Sequence, residues 1–147
     1  MHGTSLIRER LGVHGELRVQ RRPGPPEHLA FEVLREADGR AWTLRVPRAA
    51  GPELRRLLAA AAARLGQGTE PAFDERGCAL LARVALAADD ELAAVLLAEG
   101  EERAFALWRR GLTRQGWAWT PEVVVVPGAL APAFLARVAA ALERLGA

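Results

Sequence analysis

An α+β fold, with an antiparallel sheet and helices packed on one of its faces, is predicted by three segments of this 147-residue chain. In the first, residues 29–47, two alternating apolar runs flank Asp38-Gly39, which is the pattern of a β-hairpin. In the second, residues 52–65, apolar side chains recur at helical spacing. In the third, residues 123–145, a run of four valines is followed by another amphipathic helix pattern.

The remaining segments complete a predicted order of α-β-β-β-α-β-β-α-β-α. Thr4 or Ser5 can cap a two-turn first helix that Gly12 ends. Residues 16–22 alternate as a strand, with Leu17 and Val19 turned toward the core.

After the linker at residues 66–69, two further strands are predicted. Residues 70–74 read as a short strand, and residues 74–77 as a turn. Residues 78–86 are apolar on both faces apart from Arg83, so we expect this strand to lie in the centre of the sheet.

The segment 90–114 allows two interpretations. Apolar residues at helical spacing, with Asp90 as a cap, favour one helix that is kinked at Gly100. The alternatives are a hairpin turn at residues 87–91, which would make the segment a hairpin followed by a helix, and a turn at residues 99–102 that joins either two strands or two helices.

A repeat relates residues 46–66 to residues 126–146 without gaps. Ten of the 21 positions are identical, including Pro52 and Pro132 and the closing Arg-Leu-Gly. Because several of these identities are alanines in alanine-rich helices, a duplication and a strand-Pro-helix unit used twice by convergence both explain it.

Length and composition indicate one globular domain over residues 1–147, with a two-half organisation at residues 1–66 and 70–147. All 20 basic residues are Arg; the first half carries a net charge of +5 and the second −3. The single Cys excludes an internal disulfide and suggests a reducing compartment. With no apolar signal core and no apolar run of about 20 residues, we expect a cytoplasmic protein that does not enter a membrane.

The titratable residues do not form a catalytic or metal-binding pattern. His2, His14 and His28 are scattered, Cys78 lies in an apolar strand, and no phosphate-binding glycine loop occurs. We therefore expect a non-enzymatic protein without a cofactor or metal.

Arginines and tryptophans are the candidate binding residues. Arg18, Arg22 and Arg45 should share one face of the first three strands, with Arg40 and Arg48 at strand ends. Such a face could contact phosphates. Trp117 and Trp119 should lie on one side of an edge segment, as a partner surface or in the core. Two further tryptophans, Trp42 and Trp108, fall on predicted core faces.

The chain resembles the type III secretion chaperone-like fold in its predicted order of helix, three strands, helix, strand pair and helix. Residues 69–81, followed by a helix ending with Phe105, Trp108 and Leu112, carry this resemblance, which covers about residues 4–114. It implies a dimeric, non-catalytic module that binds another protein.

The strand-rich halves, each closed by a helix, also look like tandem single-stranded nucleic-acid-binding repeats of the PUR and Whirly kind. The repeat and the basic first half agree with that resemblance. Protein binding is the first functional hypothesis from the sequence, and single-stranded nucleic-acid binding is the alternative.

Overall fold

Two four-stranded antiparallel sheets, each followed by one helix, make up the computed structural model, which describes residues 6–147. The first unit contains β1 (Leu6–Leu11), β2 (Gly15–Arg22), β3 (His28–Arg35), β4 (Ala41–Pro47) and α1 (Gly51–Gly66). The second contains β5 (Cys78–Ala87), β6 (Asp90–Glu99), β7 (Glu102–Thr113), β8 (Gly116–Pro127) and α2 (Ala131–Arg144). In both sheets the strands are neighbours in chain order. The α+β class is thus confirmed, but the chain forms two sheets where one was predicted.

The predicted first helix is a strand. Ile7 and Leu11 are buried, whereas Leu6, Arg8 and Arg10 are exposed, and β1 pairs with β2 along its whole length. A two-turn helix is marginal without packing, so strand pairing prevails here. The predicted caps Thr4 and Ser5 lie outside the described residues.

The helix expected over residues 90–114 is also wrong, and of the alternatives left open at residues 99–102 the turn between two strands is the one observed. A turn at Gly100 joins β6 to β7, and Gly100 has a φ of 64°. Leu92 to Leu96 are all buried, because β6 is covered on both faces. A strand with two buried faces loses its alternation, so its sequence cannot be told from a buried helix by periodicity.

Two smaller predictions around β5 are wrong as well. Residues 70–74 form no strand, although Phe73 packs against the core. β5 is one of the two edge strands of its sheet and not a central one. Its apolar outer side remains exposed, as Leu80 at 46% shows.

The predicted hairpin at residues 29–47 is confirmed, and so are the two predicted helices that begin near Pro52 and Pro132. β3 and β4 pair with Phe31 opposite Leu44 and Val33 opposite Trp42. The apolar stripe of α1 is buried at Leu54, and that of α2 at Phe134.

The two repeat segments adopt the same structure. In each, the strand ends at a proline, one 3-10 turn follows, and a second proline lies in the first turn of the helix. Pro47 and Pro127 have nearly equal backbone angles, with φ of −55° in both and ψ of 136° and 143°.

One cluster of buried residues draws on both units. Helix α1 runs beside β5 of the second sheet, and α2 approaches β1 of the first. The edge strands β4 and β8 lie next to each other without forming a ladder. Each sheet therefore turns one face toward the shared core and the other face outward.

Candidate functional site

The outward faces of the two sheets differ in chemistry although the sheets share a topology. We call the first the arginine face, which comprises Arg8, Arg10, Glu16, Arg18, Gln20, Arg22, His28, Ala30, Glu32, Thr43 and Arg45. We call the second the tryptophan face, which comprises Leu80, Arg83, Glu91, Val95, Leu97, Trp108, Arg110, Leu112, Trp117, Trp119, Val123 and Val125.

Strand register brings Arg18, Arg22 and Arg45 onto one face, where the sequence placed them. Arg18 lies opposite Glu32, and Arg22 lies opposite His28. Arg45 lies opposite Ala30, which in turn lies opposite Gln20.

Two arginines of this face were missed because β1 was read as a helix. Arg8 lies opposite Arg18, and Arg10 lies opposite Glu16. Residues 6–11 read Leu-Ile-Arg-Glu-Arg-Leu, with three charged residues in succession, so they lack the alternation that would have identified this strand.

Carboxylates compensate much of the positive charge on the arginine face. Arg18 lies 3.2 Å from Glu32 and 3.3 Å from Glu16, and Arg10 donates to Glu36 at 2.6 Å. Among residues 6–147 the side chain of Arg22 has no ion pair or hydrogen bond. Arg22 is thus the uncompensated cation at its end of the face.

Arg45 has a structural role at the junction of the two sheets. Its guanidinium donates to Glu122 at 2.8 and 3.1 Å, and its backbone N–H donates to the same carboxylate at 2.8 Å. Its backbone carbonyl accepts from Arg109 at 2.6 Å, and Arg109 is held by Asp90. These side chains replace a ladder between β4 and β8. The hydrogen bond from Arg45 lowers the pKa of Glu122.

The arginines at the strand ends also have partners within the chain. Arg40 lies over the ring of Trp42 at 4.7 Å. Arg48 lies 3.5 Å from Glu27 and donates to the carbonyl of Gly146 at 3.2 Å, which joins the start of α1 to the end of the chain.

On the tryptophan face, aromatic rings and one arginine form a continuous stack. Trp108 and Trp119 are stacked with centroids 4.5 Å apart and planes 25° apart. The guanidinium of Arg110 lies 5.0 Å from the ring of Trp119 and 5.7 Å from that of Trp117. The prediction that Trp117 and Trp119 share one side is confirmed, whereas Trp108 lies on the outward face and not in the core as predicted.

A buried carboxylate fixes the position of Arg110 in this stack. Glu91, only 7% exposed, lies opposite Arg110 on β6 and accepts from its Nε at 2.6 Å. A cation held this way between indole rings is preorganised, since its rotamer is set by the ion pair and the two rings.

An irregularity in β8 places the rings over each other. Trp108 lies opposite Val123, and Arg110 lies opposite Trp119. Between these two pairs β8 therefore contains two more residues than β7. The indole N–H of Trp108 donates to the carbonyl of Thr120 at 2.6 Å, and the Thr120 hydroxyl donates to the carbonyl of Arg109 at 2.9 Å. Such a bulge re-aims side chains while its polar groups stay paired.

Apolar side chains around the stack are open to solvent. Leu112 is 50% exposed, Leu80 46% and Trp117 41%. Between the Trp108–Trp119 pair and the turn at residues 74–76 lies a groove of about 560 Å³ whose floor includes Leu97 and Cys78. Burial raises the pKa of the Cys78 thiol, which therefore stays protonated at neutral pH.

Within residues 6–147 no group of three His, Cys, Asp or Glu side chains converges in a way that could hold a metal ion. Neither helix in that range has the length and apolarity needed to cross a bilayer. Comparison of the sequence with protein-family models and with curated proteins gave no match.

Proposed function

We propose that the protein binds single-stranded nucleic acid without catalysing a reaction, and that the tryptophan face receives the bases. The observation that carries this proposal is the stack of Trp117, Arg110, Trp119 and Trp108 on an open antiparallel sheet. Aromatic rings on a sheet are a general platform for unpaired bases, because every base has a π-face. The exposed ring of Trp117 ends the stack, so the next ring in line would come from the ligand.

Cations for the phosphates lie near the stack. Arg83 is opposite Ala93 on the same face and is exposed, and Arg114 follows the end of β7. Neither has a carboxylate partner among residues 6–147. Phosphate contacts from such arginines position a strand without reading its sequence.

The architecture agrees with the resemblance to tandem PUR and Whirly repeats. Each half of the chain is a four-stranded meander closed by a helix. A fold alone does not determine function, so the proposal depends on the tryptophan face.

The test is binding of a fluorescein-labelled oligo(dT) 12-mer, followed by fluorescence anisotropy at several salt concentrations. We expect affinity to fall steeply with salt, as phosphate contacts require. Trp117→Ala should weaken binding about tenfold, because base–aromatic stacking contributes about 1–3 kcal/mol per base. Trp117→Phe should retain most of the affinity.

Val13→Ala is the matched control, since Val13 is 97% exposed in the turn after β1. It should bind like the wild type. Absence of oligo(dT) binding at low salt, or wild-type affinity in a folded Trp117→Ala variant, would contradict the proposal.

Protein binding, the first hypothesis from the sequence, remains the second candidate. The exposed Leu80, Leu112 and Trp117 favour it, because clustered apolar and aromatic side chains mark protein interfaces. Covering this face with a second copy would give the homodimer that the chaperone-like resemblance implies. The helix of residues 90–114, on which that resemblance depended, is not observed. A Trp117-dependent dimer in sedimentation experiments, with no oligo(dT) binding, would favour this candidate.

A further inference from the structure

The arginine face contains a hollow that the stacking proposal does not use. It lies where Ala30, on β3, separates Gln20 on β2 from Arg45 on β4. Because Ala30 has the smallest side chain in this row, it leaves a depression of about 530 Å³ between its longer neighbours. We call it the Ala30 hollow; its lining includes Gln20, Arg22, His28, Ala30, Thr43 and Arg45.

The charged side chains that line the hollow are all positive. No Asp or Glu lines it, and none lines the adjoining space of about 470 Å³ that reaches Arg109. Arg45 and Arg109 are already paired with Glu122 and Asp90. Arg22 therefore supplies the net positive charge, at the rim.

A rigid wall borders the hollow on one side. Pro23 lines both spaces, and the run Pro23-Gly24-Pro25-Pro26 forms the wall of the second. Prolines restrict the backbone, so this wall is already ordered before a ligand arrives. The hydroxyl of Thr43 adds a group that can donate a hydrogen bond, whereas Nδ1 of His28 already lies 3.4 Å from the carbonyl of Pro26.

We propose that the Ala30 hollow binds one phosphate group. The guanidinium of Arg22, with free donors, matches the tetrahedral oxygens of phosphate, and the hydroxyl of Thr43 can donate to one of the remaining oxygens. The phosphate group belongs either to a nucleic-acid backbone or to a small phosphorylated molecule. Only the first source depends on the function proposed above.

The test is a titration of the full-length protein with inorganic phosphate, followed through the backbone amide signals of β2, β3 and β4 in two-dimensional NMR spectra. We expect saturable shifts centred on Ala30 and Thr43. Arg22→Gln should weaken phosphate binding at least fivefold, and Ala30→Leu should abolish it by filling the hollow. Arg56→Gln, an exposed change on α1, should leave it unchanged. Arg45 is unsuitable for this test, because its loss would also break the contact with Glu122.

A second titration with the oligo(dT) 12-mer identifies the source. If the oligonucleotide shifts the same amides and Arg22→Gln lowers its salt slope by about 1, the phosphate is part of the backbone. If inorganic phosphate shifts these amides but the oligonucleotide does not bind, phosphate binding in the Ala30 hollow is supported and the proposed nucleic-acid binding is contradicted.

Two outcomes would contradict the proposal that the Ala30 hollow binds phosphate. One is a lack of saturable shifts with phosphate. The other is an Arg22→Gln protein that is folded by circular dichroism and binds phosphate like the wild type. Either can occur while oligo(dT) still binds in a Trp117-dependent way, so failure of this site is separable from failure of the proposed function.

Discussion

The partners of individual side chains decide which arginines are available to a ligand. Arg22 and Arg45 share a face, yet Arg45 is held by Glu122, 77 residues away in sequence, and Arg22 has no such partner among residues 6–147. Side-chain direction in a strand follows from its period of two and was predictable. The pairing with Glu122 was not, because it depends on how β4 and β8 approach each other.

The bond between Arg45 and Glu122 predicts a specific dependence of stability on pH. The pKa of Glu122 is lowered from its ordinary value of 4.5, chiefly by the hydrogen bond from Arg45. A carboxylate whose pKa is lowered by folding stabilises the folded protein at pH values above its unfolded-state pKa. This contribution is lost as the pH falls through the folded-state pKa. Glu122→Gln should therefore cost stability at pH 7 and progressively less below about pH 4.5.

The measurement is the free energy of unfolding of both proteins in urea from pH 7 to pH 3. Because the Arg45 side chain is 59% exposed, we expect a difference of about 1 kcal/mol or less at pH 7. The other carboxylates with lowered pKa values, such as Glu36, titrate in both proteins and cancel in the difference. A difference that stays constant, or grows, as pH falls would contradict the assignment.

Among the elements, the β6–β7 hairpin is the one whose sequence was most misleading. Residues 92–98 consist of Leu, Ala and Val with no polar residue, and both faces of β6 are covered. Composition and spacing there favour a helix, whereas pairing with β5 and β7 imposes a strand. The informative residue was Gly100, whose φ of 64° belongs to the left-handed region.

Gly100→Ala tests the importance of this turn. Nothing lies within 4 Å of the added methyl group, so the cost is conformational alone. We expect a loss of about 1 kcal/mol in the free energy of unfolding, measured by urea denaturation. Gly66→Ala is the matched control, because Gly66 also has open space around it but ends α1 without a positive φ. That change should be neutral or slightly stabilising. Equal stability of the wild type and Gly100→Ala would contradict the turn geometry.

The elements that could be predicted are those bounded by residues typical of a specific turn or helix end. Asp38-Gly39 marked the β3–β4 hairpin, and Pro52 and Pro132 marked the starts of both helices. β1 and β6 are followed by Gly12 and Gly100, but such a glycine can end a helix as well as a strand, so the pairing of these two strands had to be known first. Trp108 was assigned to the core because residues 90–114 were interpreted as a helix with Trp108 on its apolar side, whereas its position beside Trp119 depends on the register and bulge of β8.

At the scale of the whole molecule, the two units pack against each other through several elements. α1 runs beside β5, Arg144 of α2 reaches Glu9 of β1, and Arg55 of α1 donates to the carbonyl of Ala147 at 2.6 Å. The main buried cluster contains side chains from both sheets and both helices. Each half therefore contributes part of the cover for the other's apolar surface.

This arrangement predicts that neither half folds alone, although each contains a complete four-stranded sheet and a helix. A break between Gly68 and Thr69 cuts no helix or strand, since residues 68–74 form neither. The separate fragments 1–68 and 69–147 would each expose the apolar surface that the other covers, and a small domain cannot lose half its core and stay folded. We expect no cooperative thermal transition in either fragment by circular dichroism.

Mixing the fragments should restore one cooperative transition at a concentration-dependent temperature, because folding is then coupled to association. The intact chain should unfold in a single step, with tryptophan fluorescence and far-ultraviolet circular dichroism coinciding. Both sheets contain tryptophan, Trp42 in the first and three others in the second, so fluorescence reports on each. A fragment 1–68 that unfolds cooperatively alone would show that the halves are independent domains joined by the linker, and that the shared core is not required for the fold.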